Sequence, residues 1–251
     1  MSGHSKWHNI RLRKGKQDEV RGKLFTRVAR EIIVAAKEGG GNPDTNGRLR
    51  LAVEKAREAS MPMDNIKRAI ERGTGGGQGS NYDEVAYEGH APGGVAVMVT
   101  TLTDNKNRTV AEIRNAFNRG GGSLGTSGCV AWMFESKGII TVPKDSADED
   151  TLMMAVLDAG AQDVNTEDSV FEVVSDPADF QRVVAAISEA GIRYSSADVT
   201  MVPTTTVSVE GKQAEQVLRL LEALEDLDDV QEVYSNFDIP EGMLESMGGA
   251  G

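Results

Sequence analysis

The sequence has few of the residues that form disulfide bonds or metal sites, and it has no long apolar runs. Among 251 residues there is one cysteine, Cys129, and there are three histidines. No disulfide can form within the chain, and we expect no zinc, iron–sulfur or other cofactor site. Apolar runs such as Ile32–Ala36 and Val95–Val99 are far shorter than the ~20 residues of a transmembrane helix, so we expect no membrane partner. These absences exclude secreted disulfide scaffolds, metal centres and membrane-spanning proteins.

Recognisable catalytic motifs are also missing. The Gly-Lys pairs at Gly15 and Gly22 lack the Ser or Thr that follows in a phosphate-binding loop. Cys129 opens an apolar stretch with no histidine near it in the chain, which favours a buried, inert thiol over a nucleophile. No general acid, base or nucleophile comes with an orienting partner. We therefore predict that the protein is not an enzyme.

What the sequence does have is an uneven distribution of charge. The formal net charge is −12, from 27 Lys and Arg against 39 Asp and Glu. Residues 1–72 contain 17 basic and 9 acidic residues, whereas residues 73–251 contain 10 and 30. A basic segment attracts polyanions and an acidic body repels them. Contact with nucleic acid is therefore expected through the N-terminal third, and the alternative is a solvated basic tail without a partner.

The N-terminal third is predicted to be a basic arm followed by three short helices. Residues 1–22 have little apolar periodicity, whereas residues 23–38 have the spacing of an amphipathic helix whose basic face is offered to solvent or phosphate. A second helix is predicted over residues 47–59. The third begins after Ser60 as its N-cap and ends at Gly73, where a glycine-rich linker to Ser80 acts as a hinge.

The candidate nucleic-acid-binding residues are the cations of this region and one aromatic residue. Trp7 can stack on an unpaired base while Lys and Arg neutralise phosphates, and its docking onto the helices is the equally weighted alternative. No base-reading motif is present, so binding dominated by the phosphate backbone is expected. The predicted set is Lys6, Trp7, Arg11, Arg13, Lys14, Lys16, Lys23, Arg27, Arg30, Lys37, Lys67 and Arg68.

Beyond the linker, predicted strands alternate with helices. Residues 138–202 follow the order βαββαβ, which is the ferredoxin-like arrangement. Flanking segments supply a second α/β unit, with strands that include Cys129–Phe134 and Thr205–Val209. Two loops, Tyr87–Gly94 and Asp104–Arg108, are predicted to make a weaker second contact with nucleic acid.

These elements predict an α+β fold in which one ferredoxin-like α/β domain is inserted into another, behind an N-terminal helical bundle. The predicted domains are the arm and helices (1–78), an outer α/β domain (79–134 with 205–240), an inserted domain (135–204) and a flexible tail (241–251).

Several long motifs resemble the YebC family, which also includes mitochondrial translational activators. They are GHSKW (3–7), RGKLFTRVAREI (21–32), NGRLRLAVEKAR (46–57), MPMDNIKRAIERGTG (61–75), YEGHAPGGVAVMV (87–99), LTDNKNRTVAEIR (102–114) and GCVAWMF (128–134). Two positions depart from the family pattern, since Met63 stands where lysine is common and Gly47 where proline is common. Because the resemblance begins at Met1, with no transit peptide before it, it implies a bacterial cytoplasmic member with a three-domain fold.

The resemblance implies a role in gene expression and leaves its target open. A ribosome-associated translation factor that binds ribosomal RNA is the reading we favour, because an extended basic arm suits a folded RNA groove. A DNA-binding transcriptional regulator is the first alternative, and a ligand-sensing or protein-interaction module is the second. The sequence does not specify the oligomeric state.

Overall fold

The computed structural model describes residues 17–75, 81–167 and 169–238, with side chains from residue 22 onward. The helices are α1 (Gln17–Gly39), α2 (Gly47–Glu58), α3 (Met63–Thr74), α4 (Lys106–Arg119), α5 (Glu149–Val156), α6 (Phe180–Glu189) and α7 (Gly211–Glu225). The strands are β1 (Asp83–Ala91), β2 (Val95–Thr103), β3 (Ser123–Leu124), β4 (Phe134–Pro143), β5 (Ala161–Thr166), β6 (Val170–Ser175), β7 (Ser196–Pro203), β8 (Val207–Ser208), β9 (Val230–Ser235) and β10 (Phe237–Asp238). The predicted α+β class is confirmed.

Helices α1, α2 and α3 form the helical domain around a small apolar core. Ile32 of α1, Leu49 of α2 and Ile66 of α3 are almost completely buried within it. Burying each such side chain contributes about 1.5–3 kcal/mol, which lets three short helices hold together. Helix α1 ends where predicted, because Gly40 takes a left-handed φ of +84° and donates its N–H to the carbonyl of Ala36.

Two predictions about the third helix were wrong. Ser60 is not its N-cap but has a φ of +61° in the turn after α2, where the N–H of Met61 bonds to the carbonyl of Ala56. Gly73 lies inside α3, and a Cβ atom built on it would meet the carbonyl oxygen of Ile33 at 2.5 Å. This glycine therefore allows close packing of α3 on α1 and is not the start of a hinge.

Asn46 joins the end of α1 to the start of α2. Its side-chain oxygen accepts from the N–H of Leu49 at 3.1 Å, and its amide donates to the carbonyls of Ala35 and Gly40 at 2.7 and 2.8 Å. Because the residue is buried, no water can replace these partners.

We expect Asn46→Ala to lower the free energy of unfolding by about 2–3 kcal/mol, since it removes an N-cap and the buried amide that donates to the carbonyls of Ala35 and Gly40. Chemical denaturation measures this loss, with the exposed helical residue Asn65→Ala as the control. Equal loss in the two variants would contradict the capping role.

The outer α/β domain is a four-stranded antiparallel sheet with strand order β3-β1-β2-β9 and two helices, α4 and α7. Strands β1 and β2 form a hairpin from Asp83↔Thr103 to Ala91↔Val95. The predicted loop Tyr87–Gly94 was wrong, because residues 87–91 belong to β1. Strand β1 could not be recognised from the sequence because it is largely polar and lacks the apolar run that marks β2.

The second predicted loop, Asp104–Arg108, was also wrong. Asn105 is the N-cap of α4, and its side chain accepts from the N–H of Arg108 at 3.1 Å. Arg108 therefore lies in the first turn of a helix.

The inserted domain runs β4-α5-β5-β6-α6-β7, and its sheet has the order β5-β6-β4-β7. This is the predicted βαββαβ unit, with Ile140, Val173, Leu152 and Val183 in its core. The predicted strand Cys129–Phe134 was wrong, because Ala131–Met133 form a 3-10 turn and β4 starts at Phe134.

The described residues divide into two compact units. One unit holds Trp132–Ser208 with Asn236–Asp238, and the other holds the described residues up to Ala131 with Val209–Ser235. The predicted strand Thr205–Val209 is shorter than expected, and its residues Val207–Ser208 pair in parallel with Phe237–Asp238 inside the first unit. The helical domain and the outer α/β domain belong to the second unit.

Candidate nucleic-acid interface

Three predicted phosphate-binding cations of α1 contact an acidic turn of the outer α/β domain. We call Lys23, Arg27 and Arg30 the α1 cation face, and residues 225–229, which end α7 and precede β9, the acidic segment. Lys23 Nζ lies 3.2 Å from Asp226 Oδ1, Arg27 donates to the carbonyl of Glu225, and Arg30 donates to the carbonyl of Asp228. Sequence reasoning expected this face to meet solvent or phosphate; in the structure internal carboxylate and carbonyl oxygens pair with it, while Lys23 remains 39% exposed.

Asp229 is the centre of this contact. Its carboxylate accepts from Arg30 Nη1 at 2.9 Å and from Arg108 Nη2 at 2.7 Å. The hydroxyl groups of Thr109 and Thr103 lie 2.7 and 3.2 Å from the same carboxylate. Its side chain is only 2% exposed, and that of Arg30 is 14% exposed. Asp229 is therefore a buried carboxylate with four donors, of which Arg30 comes from the helical domain and the other three belong to the outer domain.

The environment of Asp229 stabilises its charged form. Burial acts to raise the pKa, but hydrogen bonds from Arg108 and Thr109 and the positive charges of Arg30 and Arg108 outweigh it. The pKa of Asp229 is therefore held below its ordinary value, and the residue is ionised at neutral pH.

Lys37, the fourth predicted cation of α1, contacts a residue that lies just before β1. Lys37 donates to the side-chain oxygen of Asn81. Nearby, Arg48 of α2 lies 2.7 Å from Glu38 and 2.8 Å from Glu84 of β1. The ring of Tyr82 lies 5.5 Å from the Arg30 guanidinium. Much of the positive charge of the helical domain is thus used to hold the outer domain.

The remaining predicted cations of the described residues lie on α3. Lys67 and Arg68 are exposed there, and Arg50, Arg57 and Arg72, which are not in the predicted set, are similarly exposed. Within residues 17–75, 81–167 and 169–238, none of these five side chains takes an ion pair. They are interspersed with exposed acidic residues, so they form a mixed surface and not a continuous basic patch.

The six predicted residues of the arm lie outside the described residues. They are Lys6, Trp7, Arg11, Arg13, Lys14 and Lys16. The structure therefore brings together Lys23, Arg27 and Arg30, separates Lys67 and Arg68 from them on α3, and leaves the arm as a prediction.

Sequence reasoning missed a second buried carboxylate, Glu88 of β1. It accepts backbone N–H groups of Gly128, Val130 and Ala131 at 2.6, 2.7 and 2.8 Å. Burial acts to raise its pKa, but these three hydrogen bonds outweigh that and hold the pKa below its ordinary value. The contact folds residues 128–131 into a turn, which is the reason no strand forms there.

We expect Glu88→Gln to lower the free energy of unfolding by about 2 kcal/mol at neutral pH, because three backbone N–H groups lose a buried, charged acceptor. Because the folded pKa is depressed, the contribution of Glu88 is present above the ordinary glutamate pKa and is lost as the pH falls through the folded value. Urea titrations at neutral and acidic pH test this, with Glu54→Gln, at an exposed position of α2, as the control. A difference that does not shrink in acid would contradict it.

Cys129 is half-buried, less than predicted for a core thiol. Burial and the neighbouring charge of Glu88 raise the pKa of its thiol. The nucleophilic thiolate is thus disfavoured at this position.

Two negative findings apply to the described residues. Among them, no group of three or more His, Cys, Asp or Glu is placed to hold a metal ion. No helix in that part of the chain has the length and apolar character needed to cross a membrane.

The fold and the interface together define an α+β protein whose basic helical domain is fastened through its cations to an acidic α/β domain. Two family descriptions match this chain. Residues 5–76 match the TACO1/YebC protein N-terminal domain, and residues 82–237 match the TACO1/YebC second and third domain. The chain belongs to the TACO1/YebC family.

Similar proteins span the whole chain. One from Desulforapulum autotrophicum is 53% identical over 247 residues, covering 98% of this chain and 100% of the relative. One from Dictyoglomus turgidum is 55% identical over 248 residues, with the same coverage. Both are named probable transcriptional regulatory proteins. A crystal structure of a conserved hypothetical protein from Aquifex aeolicus has a TM-score of 0.81 and 47% identity, covering 90% of this chain and 93% of that one.

Proposed function

We propose that this protein regulates gene expression in the cytoplasm by binding nucleic acid through its N-terminal third, with ribosomal RNA as its target. The division of charge carries this proposal, since residues 1–72 hold 17 cations against 9 acids and the rest of the chain is strongly acidic. Nucleic acid is thereby attracted at one end and repelled elsewhere, which orients the protein on its target. The protein acts by association and not by catalysis.

RNA is favoured over duplex DNA because Arg48 and Asp64, at the starts of α2 and α3, are poorly placed to read the major groove. A recognition helix presents base-reading side chains near its N-terminus. At the start of α2, Arg48 is held by Glu38 and Glu84. At the start of α3, the exposed Asp64 would repel phosphate. An extended basic arm that contacts the backbone of a folded RNA needs no such helix.

Transcriptional regulation is the second candidate function. The names of the Desulforapulum and Dictyoglomus relatives support it. In that case the arm would contact DNA phosphates, and base contacts would come from residues that sequence reasoning did not single out.

A binding titration distinguishes the two candidates. Fluorescence anisotropy of a labelled ribosomal RNA stem-loop and of a duplex DNA of equal length is measured at several salt concentrations. For about five phosphate contacts, log K should fall with log salt at a slope of about −3.5 to −4.5. We expect tighter binding of the stem-loop, whereas preference for the duplex would favour transcription. Failure to bind either at physiological salt would contradict the proposed function.

A further inference from the structure

The α1 cation face contacts two carboxylates, which share the negative charge of phosphates, and two backbone carbonyl oxygens. Its partners are the carboxylates of Asp226 and Asp229 and the carbonyls of Glu225 and Asp228. Carbonyls at the C-terminal end of a helix carry the negative end of its dipole. A face that sequence reasoning assigned to phosphate is thus occupied by the anionic end of α7.

The acidic segment leaves one hydrogen-bond donor of Arg30 without a partner. Arg30 Nη1 donates to Asp229 and Asp228, while its Nε is buried without a hydrogen-bond partner within the part of the chain that the structure describes. Guanidinium groups bind phosphate with two parallel N–H donors. A phosphate at this position would therefore satisfy a donor that the acidic segment does not.

Separation from α1 would not leave Asp229 as an isolated buried charge. Arg108, Thr103 and Thr109 also donate to its carboxylate, and all three belong to the outer α/β domain, as Asp229 does. At the rim, the Lys23 and Asp226 side chains are 39% and 73% exposed, so water screens their ion pair. The contact can therefore open from the rim while the outer domain keeps its own network.

We propose that the acidic segment is an internal competitor for the nucleic-acid site, and that bound nucleic acid displaces it from the α1 cation face. This rests on the proposed function, since it concerns the regulation of the same site. Displacement adds the three cations of the α1 cation face to the contact.

A chemical tether tests the displacement. Lys23→Cys and Asp226→Cys are combined with Cys129→Ser, and the two thiols are joined by a short bismaleimide. The matched control is the same variant blocked with N-ethylmaleimide. We expect the tethered protein to bind the ribosomal RNA stem-loop at least about fivefold more weakly, with a shallower salt slope because fewer phosphates are contacted.

Equal affinities and equal slopes for the tethered and blocked proteins would overturn this inference and leave the proposed function standing. If neither the blocked protein nor the wild-type chain binds the stem-loop or duplex DNA, the proposed function falls and this inference falls with it.

A second variant weakens the competitor without touching the cations. Asp226→Asn with Asp228→Asn removes two exposed carboxylates of the acidic segment, and Asp150→Asn with Asp158→Asn makes the same charge change on the inserted domain. We expect the first pair to tighten RNA binding about two- to fivefold relative to the second. Equal affinities for the two pairs would contradict competition.

Discussion

Asp229→Ala should lower the free energy of unfolding by about 3–5 kcal/mol, the cost of breaking a buried ion pair by removing one partner. The substitution removes the acceptor for Arg30, Arg108, Thr103 and Thr109 at once. Arg30 then loses its carboxylate partner at a place where its side chain is only 14% exposed, whereas Arg108 is 43% exposed and keeps its ion pair with Asp104. Urea denaturation followed by circular dichroism measures the effect.

The control lies three residues away. Asp226→Ala removes an exposed ion pair with Lys23 and should cost less than about 1 kcal/mol. Similar losses in the two variants would contradict the stabilising role of the buried network around Asp229.

Lowering the pH should remove the contribution of Asp229 to the free energy of unfolding. Because its folded pKa is below the ordinary value, the stabilisation is complete above the ordinary aspartate pKa and declines as the pH falls through the folded value. The difference between wild type and Asp229→Asn should therefore be constant near neutral pH and shrink in strong acid.

Charge reversal in the arm should abolish nucleic-acid binding. Replacing Lys6, Arg11, Arg13 and Lys14 by Glu turns four attractive phosphate contacts into repulsive ones. The loss of affinity should exceed about 100-fold at physiological salt, since phosphate neutralisation supplies most of non-specific affinity. Electrophoretic mobility shift with the ribosomal RNA stem-loop measures it.

The control for the arm has the same change in net charge at another place. Lys106, Arg114, Arg119 and Lys212 are exposed cations of the outer α/β domain, and their replacement by Glu should weaken binding far less. Unchanged affinity in the arm variant, or equal losses in both variants, would contradict polarised binding through the N-terminal third.

The parts of the fold that could be predicted are those with a strong local pattern. The βαββαβ order of the inserted domain follows from apolar strands and amphipathic helices, and the structure has the matching sheet order. Strand β1 was missed because it is largely polar and is stabilised by its pairing with β2. The strand predicted over Cys129–Phe134 failed because Glu88, about 40 residues earlier, takes the backbone N–H groups of Val130 and Ala131.

The candidate site, too, depends on contacts between distant segments that local sequence patterns do not predict. Helical periodicity places Lys23, Arg27 and Arg30 on one side of α1, but periodicity does not say what lies opposite. The partners come from residues 225–229, about 200 positions later in the chain. A cation can pair with a distant carboxylate of its own chain or with an anionic partner. Only the tertiary structure distinguishes these two possibilities.

The central claim is that the basic N-terminal third directs this protein to RNA. Ultraviolet crosslinking in cells, followed by sequencing of the attached nucleic acid, tests it most directly, with the Lys6, Arg11, Arg13 and Lys14 to Glu variant as the control. We predict a peak on ribosomal RNA that the variant loses. Discrete chromosomal sites without a ribosomal RNA peak would contradict the claim and identify a transcriptional regulator.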